Sequence, residues 1–210
     1  MTTLGALGAI LAALLLGAMS PGPSFVLVAR NAVGLSRGDG LATAAGMGAG
    51  GMLFSLLAVL GLYSLLATVG WLYAILKAAG GAYLLYLAWQ IWRGAPKPLV
   101  MNEDALEAQR SLLRSFRTGL GTQLTNPKTA LVYGSIFAAL LPARPPFWIT
   151  VALPVLVFCV EAGWYGTVAL CFSSKAPRAL YLRSKTLIDR FAAVAVGALG
   201  LRLLTTAEGN

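Results

Sequence analysis

Three charged side chains, Lys77, Lys128 and Glu161, stand inside long apolar runs of this sequence. A charge in such surroundings needs a partner or a wet cavity, and so marks a place where chemistry can happen. Glu161, in Phe158-Cys159-Val160-Glu161-Ala162-Gly163-Trp164, is the one carboxylate set deep in a run. It suits a proton-exchanging group, an anchor for a cationic ligand group, or a fixed ion pair with Lys128. Lys77 lies a turn or two from the aromatic pair Trp71 and Tyr73, where it can snorkel toward water.

Lys128 belongs to a second kind of feature. The first apolar run is interrupted by Ser20-Pro21-Gly22-Pro23 and a later one by Thr125-Asn126-Pro127-Lys128. Proline suits the first turn of a helix, while Gly or Asn suits the residue before it, so each motif ends one helix and restarts another. A restarted helix presents unsatisfied N–H groups and a partial positive charge, which together favour an anion. Lys128 adds a full positive charge there. The plain alternative is a pair of proline kinks with no ligand.

Other chemistries lack their residues. The chain has no histidine, which removes the usual zinc and haem ligand and imidazole-based catalysis. Cys159 and Cys171 share one apolar run, ~18 Å apart if it is helical, and can neither bridge nor form a CxxC pair. No metal and no cofactor is expected. The net charge of +9 is not that of a nucleic-acid binder, since the basic residues sit mainly between apolar runs.

The elements that hold these residues follow from composition. In 210 residues, 58% are hydrophobic and 11% charged, which points to lipid as the solvent. Spans of roughly 20 residues are predicted near 4–30, 41–68, 70–92, 117–141, 147–171 and 187–204. The N-terminal run lacks a basic leader segment and reads as the first span. The predicted fold is an all-α integral membrane protein of six helices. Small residues at fourfold spacing, Ala42, Gly46 and Gly50 with Ala162 and Gly166, predict close helix packing. Asp39 is expected to cap the second span from its loop.

Lys and Arg fall unevenly: twelve lie on or beside the first, third and fifth loops, and only Arg144 and Arg202 on the opposite side. The odd loops are therefore predicted cytoplasmic and both termini external. Residues 1–93 and 117–210 form two three-helix halves, joined by a solvated connector, 94–116, with room for a short amphipathic helix. Such halves enter the membrane from opposite sides, so any relation between them is inverted. The restarts at Pro23 and Pro127 lie about 7 and 10 residues from Arg30 and Arg117, or ~10 and ~15 Å by helical rise. Both fall within the membrane, and the helices after them point in opposite directions, so their N-termini can meet.

The ordered set of Ser20-Pro21-Gly22-Pro23, Arg37-Gly38-Asp39-Gly40 leading to Gly46 and Gly50, Leu76 to Leu87, Asn126-Pro127-Lys128, and the closing Asp189-Arg190-Phe191 to Gly200-Leu201-Arg202 resembles the LysE/RhtB amino-acid exporters. The similarity runs over essentially the whole chain. One departure is Gly80-Gly81-Ala82-Tyr83-Leu84 where the family has Gly-Ala-x-Tyr-Leu. The resemblance implies export of amino acids or close derivatives across a bacterial inner membrane, driven by the proton motive force and carried out by a dimer. It also brings Lys77 into a family motif. A substrate site is then expected at Ser20, Pro21, Gly22, Pro23, Asn126, Pro127, Lys128 and Glu161, with Glu161 coupling protons and Asp39 and Lys77 in supporting roles. A thiol electron conduit and a metal-ion exporter are the competing readings, each short of suitable residues.

Overall fold

The computed structural model describes residues 3–68, 70–97, 111–142 and 145–207, apart from the side chains of 61–74, 76, 77, 203, 206 and 207. Among the described residues it is entirely helical: α1 (Thr3–Met19), α2 (Pro23–Gly34), α3 (Arg37–Thr68), α4 (Gly70–Gly94), α5 (Leu112–Thr125), α6 (Pro127–Leu140), α7 (Phe147–Phe172) and α8 (Lys175–Ala207). Helices overlie all six apolar runs, two of them as broken pairs. Within α3, Arg37–Leu60 is long and apolar enough to cross a membrane, as is α7; α1 and α2 pass together as one span bent by 61°.

Both breaks have the same local cause. A residue before proline is driven out of the helical region, and here Gly22 is extended (φ −153°, ψ −172°) while Asn126 sits at φ −75°, ψ 111°. Pro23 and Pro127 then open α2 and α6 at the position where a missing N–H costs nothing.

Two boundaries differ most from the sequence reading. The basic stretch Lys175 to Arg190, expected mostly as loop, is the first half of α8. Its proline, Pro177, lies in the first turn, where it is tolerated. The connector is shorter than expected at its end, because Ser111 accepts a hydrogen bond from the Arg114 N–H and starts α5 at Leu112. The amphipathic helix expected in the connector falls on 98–110, outside the described residues.

Packing pairs the elements in a regular way. α3 lies against α7 and α4 against α8; α5 packs on α3 and α6 on α4, while α1 and α2 pack on α7 and α1 on α8. One apolar core gathers Ile10, Leu14, Leu84, Ile136, Leu153 and Val157, and a second gathers Phe25, Val28, Met47, Ala169 and Phe172. Gly46 and Gly119 set the closest approach: a Cβ on Gly46 would strike the Phe116 carbonyl, and one on Gly119 the Thr43 carbonyl. α3 and α5 therefore touch backbone to backbone. Gly50 meets Gln123, and Gly48 meets Ala162. The outward face carries large apolar side chains, among them Leu57, Trp89, Leu131, Phe147 and Val194, as a lipid-facing surface would.

Candidate functional site

The two breaks meet through side-chain hydrogen bonds. Asn126 serves both: its Oδ1 accepts from the Lys128 N–H (3.0 Å), capping α6, and its Nδ2 donates to Ser24 Oγ (3.1 Å) in the first turn of α2. Ser24 Oγ donates in turn to Gln123 Oε1 (2.8 Å), and Gln123 Nε2 donates to Glu161 Oε2 (3.2 Å). Tyr133 OH completes the chain by donating to Glu161 Oε1 (2.9 Å). All five side chains are buried. Gly51 leaves the space that Tyr133 OH and the Glu161 side chain occupy.

Lys128 is placed differently from an ion-pair partner of Glu161. Its Nζ donates to the Ser20 carbonyl (3.1 Å), and no ion pair joins it to Glu161 among the described residues. The carbonyl lies just past the end of α1, where helix carbonyls lack partners and a cation is favoured. Trp164 Nε1 serves the neighbouring Ala18 carbonyl at 3.1 Å. Lys128 thus bridges the breaks, with Gly22 beside its ammonium: a Cβ there would lie 3.4 Å from Nζ.

Two cavities adjoin this bridge. The inner one, about 30 Å³, is lined by Ser24, Gln123, Tyr133, Glu161 and Tyr165. It has room for a water or two. The outer one, about 540 Å³, is lined by Ser20 to Pro23, Asn126 to Lys128, and Lys97, Lys185 and Asp189. Ser20, Gly22, Asn126 and Lys128 line both. All eight residues expected at the site therefore line one or both cavities, with Glu161 on the inner one alone.

The supporting candidates stand apart. Asp39 is in the first turn of α3 rather than at its cap, because Ser36 takes the cap: its Oγ accepts from the Asp39 N–H (3.1 Å) and donates to Asp39 Oδ2 (2.6 Å). The other oxygen, Oδ1, accepts from Ser115 Oγ (2.7 Å), tying α3 to α5. Lys77 falls on α4, and its side chain lies outside the described residues. Cys159 and Cys171 both lie on α7, so two redox thiols are not brought face to face by different helices.

Sequence reasoning missed Ser24, Gln123, Tyr133 and Asp189. Gln123 and Tyr133 were visible only as one amide and one aromatic in an apolar run. Asp189 stood at the margin of the last run and Lys185 among its flanking charges.

The chain matches the LysE type translocator family model over residues 15–207. It is 30% identical over 187 residues to the threonine efflux protein of Escherichia coli (strain K12), covering 89% of this chain and 91% of that protein. The threonine efflux protein of Salmonella typhi is 31% identical over 188 residues, with the same coverages. An uncharacterized membrane protein of Escherichia coli, YahN, is 28% identical over 88% of this chain and 82% of its own length. No solved structure matches. Over a match that includes both helix breaks, these likenesses show that the protein belongs to the LysE type translocator family.

Proposed function

We propose that the protein exports an amino acid or close derivative across a bacterial inner membrane, by alternating access coupled to protons. The observation that carries this reading is the convergence of the helix starts at Pro23 and Pro127 on one cavity, which shares Ser20, Gly22, Asn126 and Lys128 with a smaller cavity lined by the buried carboxylate Glu161. The solute's carboxylate sits near Gly22, Pro23, Asn126 and Pro127, helped by Lys128. Glu161 takes the coupled proton or the solute's ammonium. The threonine efflux relatives make small polar amino acids the first class to test.

Six spans in two inverted halves, residues 1–93 and 117–210, give the motion its form. The packing supports this at the level of whole spans: the broken span of each half, α1 with α2 or α5 with α6, touches both unbroken spans of the other half. Rocking of one half against the other then exposes the cavity to each side in turn. The odd loops are cytoplasmic and both termini external, by the placement of Lys and Arg.

Radiolabelled amino-acid efflux from loaded proteoliposomes tests the proposal. Proton-driven efflux is expected with the unaltered protein and is expected to collapse in Glu161→Gln and Asn126→Ala. Unchanged efflux in both variants would show the site to be wrong.

A further inference from the structure

The inner cavity and Glu161 leave little for a solute to bind. Both oxygens of Glu161 already accept hydrogen bonds, from Tyr133 and Gln123. A space of about 30 Å³ takes a water or two and is smaller than any amino acid. The outer cavity, about 540 Å³, has the room.

Asp189, on α8, lines that outer cavity and is only 2% exposed. Its Oδ2 is held by Lys185 Nζ at 2.7 Å, and the same ammonium reaches the Ala95 carbonyl at 3.2 Å, at the end of α4. Its Oδ1 is buried and makes no hydrogen bond. Such an acceptor is uncommon in a folded protein and calls for an explanation. Lys128, Lys97 and the helix starts at Pro23 and Pro127 line the same space. The cavity therefore carries an anion-binding wall and a carboxylate oxygen that lacks a donor. A zwitterion, with carboxylate and ammonium on one carbon, has that pair of charges.

We propose that Asp189 anchors the ammonium group of the transported amino acid, in an outer site whose anion end is formed by Lys128 and the starts of α2 and α6. This deepens the export reading and rests on it. Glu161, which lines the small inner cavity and not the outer one, is then left to the proton. Lys185 is a positioning residue, holding one oxygen of Asp189 and leaving the other without a donor.

The test uses the full-length protein in proteoliposomes. A panel of the radiolabelled amino acids is screened for efflux, and the fastest is compared with its α-hydroxy acid analogue, which keeps the carboxylate but replaces ammonium by hydroxyl. Asp189→Asn is expected to raise KM for the amino acid about 10- to 100-fold and to leave KM for the hydroxy acid unchanged, so the preference for the amine disappears. The paired variant Lys185→Gln with Asp189→Asn removes both charges together and guards against misfolding caused by a lone buried lysine; it is expected to lack the preference as well. Wild-type KM and amine preference in the paired variant would overturn the proposal, reducing Asp189 to a counter-ion for Lys185. If the unaltered protein moves no amino acid, the export reading itself fails.

Discussion

Asn126 Nδ2 donates a hydrogen bond to Ser24 Oγ at 3.1 Å, joining residues 102 apart in sequence. The residue that caps the second helix break thus also ties it to the first. Asn126→Ala removes the cap on α6 and the tie to α2 together. Loss of a cap costs about 0.5–2 kcal/mol, and the buried Ser24 hydroxyl loses a donor. A lower thermal midpoint in detergent and a reduced efflux rate are expected. Asn126→Asp keeps the cap acceptor but loses the amide donor, and is expected to recover stability more than transport.

Glu161 is held from two sides, by Tyr133 and Gln123. In Glu161→Gln the amide oxygen still accepts from Tyr133, so folding should be retained while the exchangeable proton is lost. Efflux driven by an imposed pH gradient is expected to fall to background, while exchange of labelled for unlabelled solute at equal pH on both sides continues. Gradient-driven efflux at the wild-type rate would exclude Glu161 from coupling.

Much of this site was legible in the sequence, because proline and charge are conspicuous in apolar runs. Pro23 and Pro127 fixed the breaks, since no other residue both restarts a helix and forces its predecessor out of helical geometry. Glu161 stood out by its cost. What could not be read is which neutral residues satisfy these groups. Gln123 and Tyr133 lie 38 and 28 residues from Glu161, and only tertiary packing brings them to it. Asp39 shows the same limit: an acid at the helix start was visible and read as its cap, but Ser36, which takes the cap, and Ser115, 76 residues away, were not. Asp189 was overlooked because a charge at the edge of a run reads as a solvated flank, whereas α8 begins well before that edge and carries it inward.

Asp39 accepts from Ser36 and Ser115 while buried, so its role is predicted to be structural as well as local. A hydrogen bond to a charged group contributes about 1.5–3 kcal/mol. Ser115→Ala should lose about that much and Asp39→Ala more, since it abandons both hydroxyls. A double-mutant cycle on thermal or denaturant unfolding should give a coupling of about 0.5–3 kcal/mol. A coupling near zero would mean that the contact between α3 and α5 does not depend on this pair.

The α3–α5 contact rests more heavily on Gly46 and Gly119, where an added Cβ would meet the carbonyls of Phe116 and Thr43. Backbone cannot swing aside as a side chain can, so the helices must separate. Gly46→Ala and Gly119→Ala are each expected to cost about 1–3 kcal/mol, read as a fall in thermal midpoint. Gly163→Ala, at a position with open space around its Cβ, serves as the control and should change little.

Lys128 presents two separable roles, and charge-preserving and charge-removing variants divide them. Its Nζ donates to the Ser20 carbonyl and lies beside Gly22 at the junction of the two cavities. If it only bridges the breaks, Lys128→Met should lower stability without changing apparent affinity, because the carbonyl loses a donor and the cavity loses nothing it uses. If its charge receives the solute's carboxylate, methionine should raise KM about tenfold or more, since a charge-assisted hydrogen bond is lost. Lys128→Arg keeps the charge and should retain part of the affinity, although its planar head presents donors in a different geometry. The expected result is a KM in the order wild type, arginine, methionine, with kcat less affected. A methionine variant of wild-type KM would leave Lys128 as a brace between α1 and α6 and place the anion end of the site on the helix starts alone.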